Sequence, residues 1–129
     1  MEEALQFLSD AGVYFIASVD SKGKPHVRPF GSRAIVDGKF YIFMSFPKAV
    51  YTQVMENGYV ELATMGKDRS WIRIAAKAVP VENLETREKI IKTYGGGPRA
   101  RNVETMMAFE LTEVTATIYK GEEQKTITW

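Results

Sequence analysis

Asp37-Gly38, set between two apolar runs, restricts this chain more than any other pair of residues. An Asp-Gly step suits the two-residue turn whose twist matches that of paired strands, so residues 33–36 and 39–44 read as an antiparallel hairpin. The hairpin lies within residues 24–48, KPHVRPFGSRAIVDGKFYIFMSFPK, which open as a strand with an Arg-Pro step and close on Lys48 at the start of a helix. A lysine there is electrostatically odd. A helix N-terminus carries roughly +0.5 of a unit charge, which disfavours a cation unless an anion shares the site. A bound phosphate would satisfy Lys48, the first free backbone N–H groups and the Ser45 hydroxyl together. The expectation is a phosphate-bearing ligand on a β-rich scaffold.

The remainder reads as short alternating elements. Residues 2–10 form a helix with Ala4, Leu5 and Leu8 on one face, stopped by Gly12. Residues 13–19 are a strand, and Ser21-Lys22-Gly23-Lys24 turns it back through a hairpin partner at 26–34. A second helix spans 47–57, with Gly58 as its C′ residue. Strands follow at 59–65 and 70–81, then a third helix at 84–94, broken by Gly95-Gly96-Gly97-Pro98. Residues 106–111, 114–119 and 124–129 close the chain as strands. The sum is six or seven strands with short helices in one domain, 1–129, which fits a β-barrel better than a βαβ sheet.

Composition removes several classes of function. Seventeen Lys and Arg against 16 Asp and Glu leave a net charge of +1, which gives no support for bulk nucleic-acid binding. No apolar run approaches the ~20 residues needed to cross a bilayer, and the acidic start is unlike a signal peptide, so a cytoplasmic location is expected. Without cysteine there is no disulfide, thiol chemistry or zinc–thiolate site. His26 is the only histidine, so a site built on several histidines is excluded and a structural or ligand-edge role is the expectation. The Gly95–Arg101 stretch lacks the Gly-Lys-Ser/Thr ending of a P-loop and reads as a turn. Glu82, Glu85 and Glu88 read as a solvent-facing run.

Alternation sorts the other candidates. His26, Arg28 and Phe30 point one way, Val27 and Pro29 the other. Ile72, Ile74, Ala76 and Ala78 make an apolar face, with Trp71, Arg73 and Lys77 opposite. Trp71 and Arg73 offer either a stacking surface beside a fork for phosphate or carbonyl, or a solvated face with Trp71 packed on a neighbouring subunit.

The strand His-Val-Arg-Pro-Phe-Gly at 26–31, the Ser-x-x-Lys step at 45–48, Val-Glu-Leu at 60–62 and Trp-Ile-Arg-Ile at 71–74 occur in an order that resembles the pyridoxamine 5′-phosphate oxidase-like flavin-binding proteins. The resemblance implies a mainly β, six-stranded antiparallel split barrel that forms a homodimer, with flavin mononucleotide (FMN) at the interface. It implies that Arg28 and Lys48 contact the ribityl phosphate, with Ser45 adding a hydroxyl and Gln53 reaching the phosphate or ring edge. Backbone groups around Pro29, Phe30, Phe43 and Met44 would lie along the isoalloxazine ring. Trp71 and Arg73 would come from the other subunit. Phe40 to Met44 is apolar on both faces, and its second face is a dimer contact, a flavin floor or a surface under a helix.

The longer oxidases carry a C-terminal segment whose Arg and His residues grip the substrate phosphate, and residues 124–129 hold nothing equivalent. Short relatives include flavin reductases, proteins linked to nitroimidazole reduction and stress-associated proteins. The expectation is therefore FMN-dependent redox chemistry on a small planar substrate, other than pyridoxamine phosphate oxidation. The deazaflavin F420 is the alternative cofactor, and a non-catalytic flavin- or haem-binding dimer is the alternative function.

Overall fold

The structure is a computed structural model, described here for residues 1–45, 48–95 and 103–129. Alternation within the strands decides its architecture. Ile72, Ile74, Ala76 and Ala78 are buried while Arg73, Ala75, Lys77 and Val79 between them are exposed, so Trp71–Val81 turns one face to the core. The described residues form eight strands where the resemblance implied six. They are β1 (Tyr14–Val19), β2 (Pro25–Phe30), β3 (Ala34–Val36), β4 (Lys39–Ser45), β5 (Tyr59–Met65), β6 (Trp71–Val81), β7 (Met106–Lys120) and β8 (Glu123–Thr128). All pairings are antiparallel, in the order β2-β1-β5-β6-β7-β4-β3, with β8 on β7. This is the split barrel. Its interior holds Ile16, Phe40, Ile42, Leu62, Ile72, Ile74 and Phe109, all at most 1% exposed.

Two strand expectations need correction. Residues 106–119 form one continuous strand, because a bulge absorbs the polar step at Thr112-Glu113 that looked like a break. The register against β6 shifts between Ala75 and Lys77, and Glu113 takes a φ of 49°. One edge of β7 then serves two neighbours, β4 before the bulge and β8 after it.

Residues 26–34 are likewise not one strand: β2 stops at Phe30 and β3 starts at Ala34. Between them Ser32 closes the seam of the split barrel. Its hydroxyl donates to the Phe43 carbonyl at 2.7 Å and accepts from the Phe43 amide at 3.0 Å. A hydroxyl carries one proton and free lone pairs, so a single side chain meets both backbone groups. Tyr14 then donates to the Ser32 carbonyl at 2.6 Å, and burial pushes its phenol pKa well up, keeping it a donor.

Three helices complete the described fold: α1 (Glu2–Ala11), α2 (Ala49–Asn57) and α3 (Leu84–Tyr94), with a 3-10 turn at Val103–Thr105. Helix α1 buries Ala4 and Leu8, and α2 buries Val50 and Val54, ending at Gly58 in the left-handed conformation. Helix α3 settles why β4 is apolar on both faces. Phe40, Ile42 and Met44 face the barrel interior, while Tyr41 and Phe43 lie under Ile90, Ile91 and Tyr94. That second face is therefore covered within the chain and is neither a dimer contact nor a flavin floor. Pro47 and the stretch from Gly96 to Arg101 lie outside the described residues.

Candidate functional site

The site is built where β1, β2 and α2 meet. Register places Arg28 opposite Ile16, on the inward face of an edge strand. Its Nη1 donates to Ser18 Oγ at 2.7 Å and to the Ile16 and His26 carbonyls at 3.3 and 3.4 Å. Its Nη2 donates to Gln53 Oε1 at 3.1 Å, and Ser18 Oγ donates to the same oxygen at 2.5 Å. Ser18 and Gln53 are only 2% and 8% exposed. Among the described residues no carboxylate pairs with Arg28. Burial lowers its pKa, and no nearby anion offsets that desolvation. A half-buried guanidinium without a counter-charge is a place where an anion is favoured.

Gln53 lies in the second turn of α2, whose N-cap is Lys48. Lys48 is exposed, offers no side-chain cap, and is followed by no acidic residue in the first turn. The first amides of the helix therefore lack the oxygen that a Ser, Asp or Asn cap would bring. Ser45, at the end of β4, donates to Met106 Sδ at 3.1 Å, a weak acceptor that an anionic oxygen would outcompete.

The other expected site residues fall into two groups. Phe30 is half-buried with its ring 6.2 Å from Tyr14, Pro29 is exposed on the outer face, and Phe43 and Met44 are buried. The Phe43 amide and carbonyl are both held by Ser32. Trp71 and Arg73 sit on the outer face of β6, apart from Arg28: β1 and β5 intervene and the side chains leave the sheet on opposite sides. There Trp71 stacks on Tyr119 with centroids 4.1 Å apart and 11° between planes, and Arg73 lies over Trp71 at 5.2 Å. Glu61 holds Arg73 Nε at 3.2 Å. The same outer face carries Phe15, Val27, Tyr59 and Met65, each at least half exposed.

Ser18 is the member that sequence reasoning missed. Its signal was a hydroxyl at the third inward position of β1, after Tyr14 and Ile16, where another apolar residue would continue the row. His26 is exposed and bonded to Asp20 at 2.9 Å, an arrangement of the β1–β2 turn. The His26 bond, then backbone amides at 2.9 Å from Lys24 and Lys22, hold the Asp20 carboxyl below the usual carboxylate range. Among the described residues no three His, Cys, Asp or Glu gather as a metal site, and no helix is long and apolar enough to cross a membrane.

Comparison with known proteins agrees with this fold. A NimC/NimA family protein from Clostridium acetobutylicum is 28% identical, with a TM-score of 0.90 over 100% of this chain and 92% of that one. Two more distant structures share the fold. A pyridoxamine 5′-phosphate oxidase-related, FMN-binding protein from Nostoc punctiforme is 15% identical, with a TM-score of 0.67 over 97% of this chain and 85% of that one. A haem-binding protein from Mycobacterium smegmatis is 12% identical, with a TM-score of 0.73 over 98% of this chain and 57% of that one. No curated protein matches the sequence. The family model described as pyridoxamine 5′-phosphate oxidase matches residues 1–118. That match runs over nearly the whole chain, and it establishes that this protein belongs to the pyridoxamine 5′-phosphate oxidase family.

Proposed function

We propose that the protein is an FMN-dependent oxidoreductase acting on a small planar substrate, with the flavin phosphate held between Arg28 and the start of α2. The observation that carries this is Arg28 itself: half-buried, bonded only to neutral groups, and beside a helix whose first turn brings no anion of its own. The residues fit the group. Arg28 offers a planar fork, Lys48 a mobile charge, Ser45 a hydroxyl, and the first amides of α2 point along the positive end of the helix dipole. When bound, FMN would supply the electron transfer, and the chain's own task is to hold and shield it. A reduced nicotinamide is the proposed reductant and the cytoplasm the proposed location. Pyridoxamine phosphate oxidation is not proposed.

The site is proposed to be completed in a homodimer. Trp71 and Arg73 cannot reach the Arg28 cluster within one chain, and the outer face that holds them also exposes Phe15, Val27, Tyr59 and Met65. An apolar patch of this kind supports pairing with a second copy. Sedimentation should give twice the chain mass, and Val27→Glu should give the monomer.

The deciding measurement is the visible spectrum of the purified protein, followed by heat release and identification of the chromophore. Released FMN, with turnover by NADH or NADPH and a quinone or nitroaromatic acceptor, is the expected result. A deazaflavin spectrum changes the cofactor to F420, and a Soret band changes it to haem, which a relative of the same fold binds. A flavin-loaded protein without turnover makes it a binding module. Colourless protein that ignores added FMN and F420 ends the proposal.

A further inference from the structure

Hydrogen-bond logic within the buried cluster assigns a role to Ser18, and the inference rests on the flavin-phosphate reading above. Arg28 has donors only, so Ser18 Oγ, 2.7 Å from Nη1, must accept there. The single Ser18 proton is then directed at Gln53, which must present its oxygen to both Ser18 and Arg28. The Gln53 amide is thereby fixed in one of its two flips, with its NH2 turned away from the cluster. Gln53 is 8% exposed as a residue, and Nε2 meets no acceptor among the described residues; it is not one of the fully buried orphan atoms, so it keeps a contact with solvent through which a ligand can reach it. Two N–H donors held in one direction, beside a guanidinium that has no counter-charge among the described residues, suit an anionic oxygen.

We infer that Ser18 is a positioning residue of the cofactor site: by accepting from Arg28 and donating to Gln53 it locks the Gln53 amide as a neutral donor for the phosphate. Ser18 does not itself touch the ligand. It converts a side chain that would otherwise present either end into one that presents only donors. The arrangement favours a phosphate-bearing flavin over the same ring without phosphate.

The test compares affinities for FMN and riboflavin, whose difference isolates the phosphate. In Ser18→Ala, FMN affinity should fall about ten-fold or more while riboflavin affinity is unchanged. Ser18→Thr, which keeps the hydroxyl, should restore the preference for FMN. Gln53→Glu covers the case in which Ser18→Ala fails to fold. It retains an oxygen for Ser18 and Arg28, replaces the outward NH2 by a second oxygen, and should abolish the preference for FMN. Unchanged FMN affinity in Ser18→Ala, or in Gln53→Glu, overturns the role of Ser18 while leaving the phosphate site standing. A wild-type protein that binds FMN no better than riboflavin overturns the phosphate reading and this inference with it.

Discussion

Helix α3 begins at Asn83, whose side-chain oxygen accepts the Thr86 amide at 3.0 Å, and Glu85 sits in its first turn. Helix α2 begins at Lys48, with neither a cap bond nor an acid. Both helices follow a strand, both end on a left-handed glycine, and both bury one apolar face. The difference that bears on the site is where they start. At α3 the chain supplies the oxygen and the negative charge that a helix N-terminus favours. At α2 it supplies a cation, on a helix whose Gln53 accepts from a half-buried arginine. A sequence that caps one helix conventionally and leaves the other so charged has given up stability at the second, and a ligand phosphate would restore it.

That contrast can be broken from either side. The largest effect is expected for Arg28→Ala: FMN binding weakens by about 1.5–3 kcal/mol, measured by fluorescence titration, with riboflavin much less affected. Lys48→Asn would make α2 start as α3 does. The ligand-free protein should gain about 0.5–2 kcal/mol of stability in urea unfolding while FMN affinity falls. A loss of stability in Lys48→Asn would mean that Lys48 serves the fold. The reverse change, Asn83→Ala, should cost about 1 kcal/mol of stability and leave FMN affinity untouched.

The smallest effect lies at the turn that carries β2. The Asp20 carboxyl has a lowered pKa in the folded chain, so its contribution is present above the usual carboxylate range and is lost as pH falls through the folded value. An NMR titration should place the Asp20 midpoint below that of an ordinary aspartate. Asp20→Asn should remove this pH dependence without changing FMN affinity. A midpoint at the ordinary value would detach the His26–Asp20 pair from the stability of the hairpin.

Much of this was legible because the signals were local. Alternation from Trp71 to Val81, the Asp37-Gly38 turn and Gly58 after the second helix each depend on adjacent residues, and each element stands where it was expected. The two errors depend on distant partners. Thr112-Glu113 looked like an end because nothing nearby shows that β6 runs on alongside through a bulge. The 26–34 strand looked continuous because nothing nearby shows that Ser32 bonds across the seam to Phe43. The site divides in the same way. Arg28 and Lys48 carried a motif and a charge that could be read in sequence and Gln53 entered through the family resemblance, whereas Ser18 is tied to Arg28 and to Gln53, far along the chain, by bonds that no local pattern announces.

The doubly apolar β4 has a consequence for how the protein must be made. One of its neighbours, β3, arrives with it, but Tyr41–Ser45 also pairs with Met106–Glu110, and Tyr41 and Phe43 await Ile90 and Ile91. On the ribosome, a strand greasy on both sides is therefore complete long before its second neighbour and its covering helix exist. Closure of the barrel is reserved for the last third of translation, and until then β4 is the segment that chaperones would hold and that truncated chains would aggregate through.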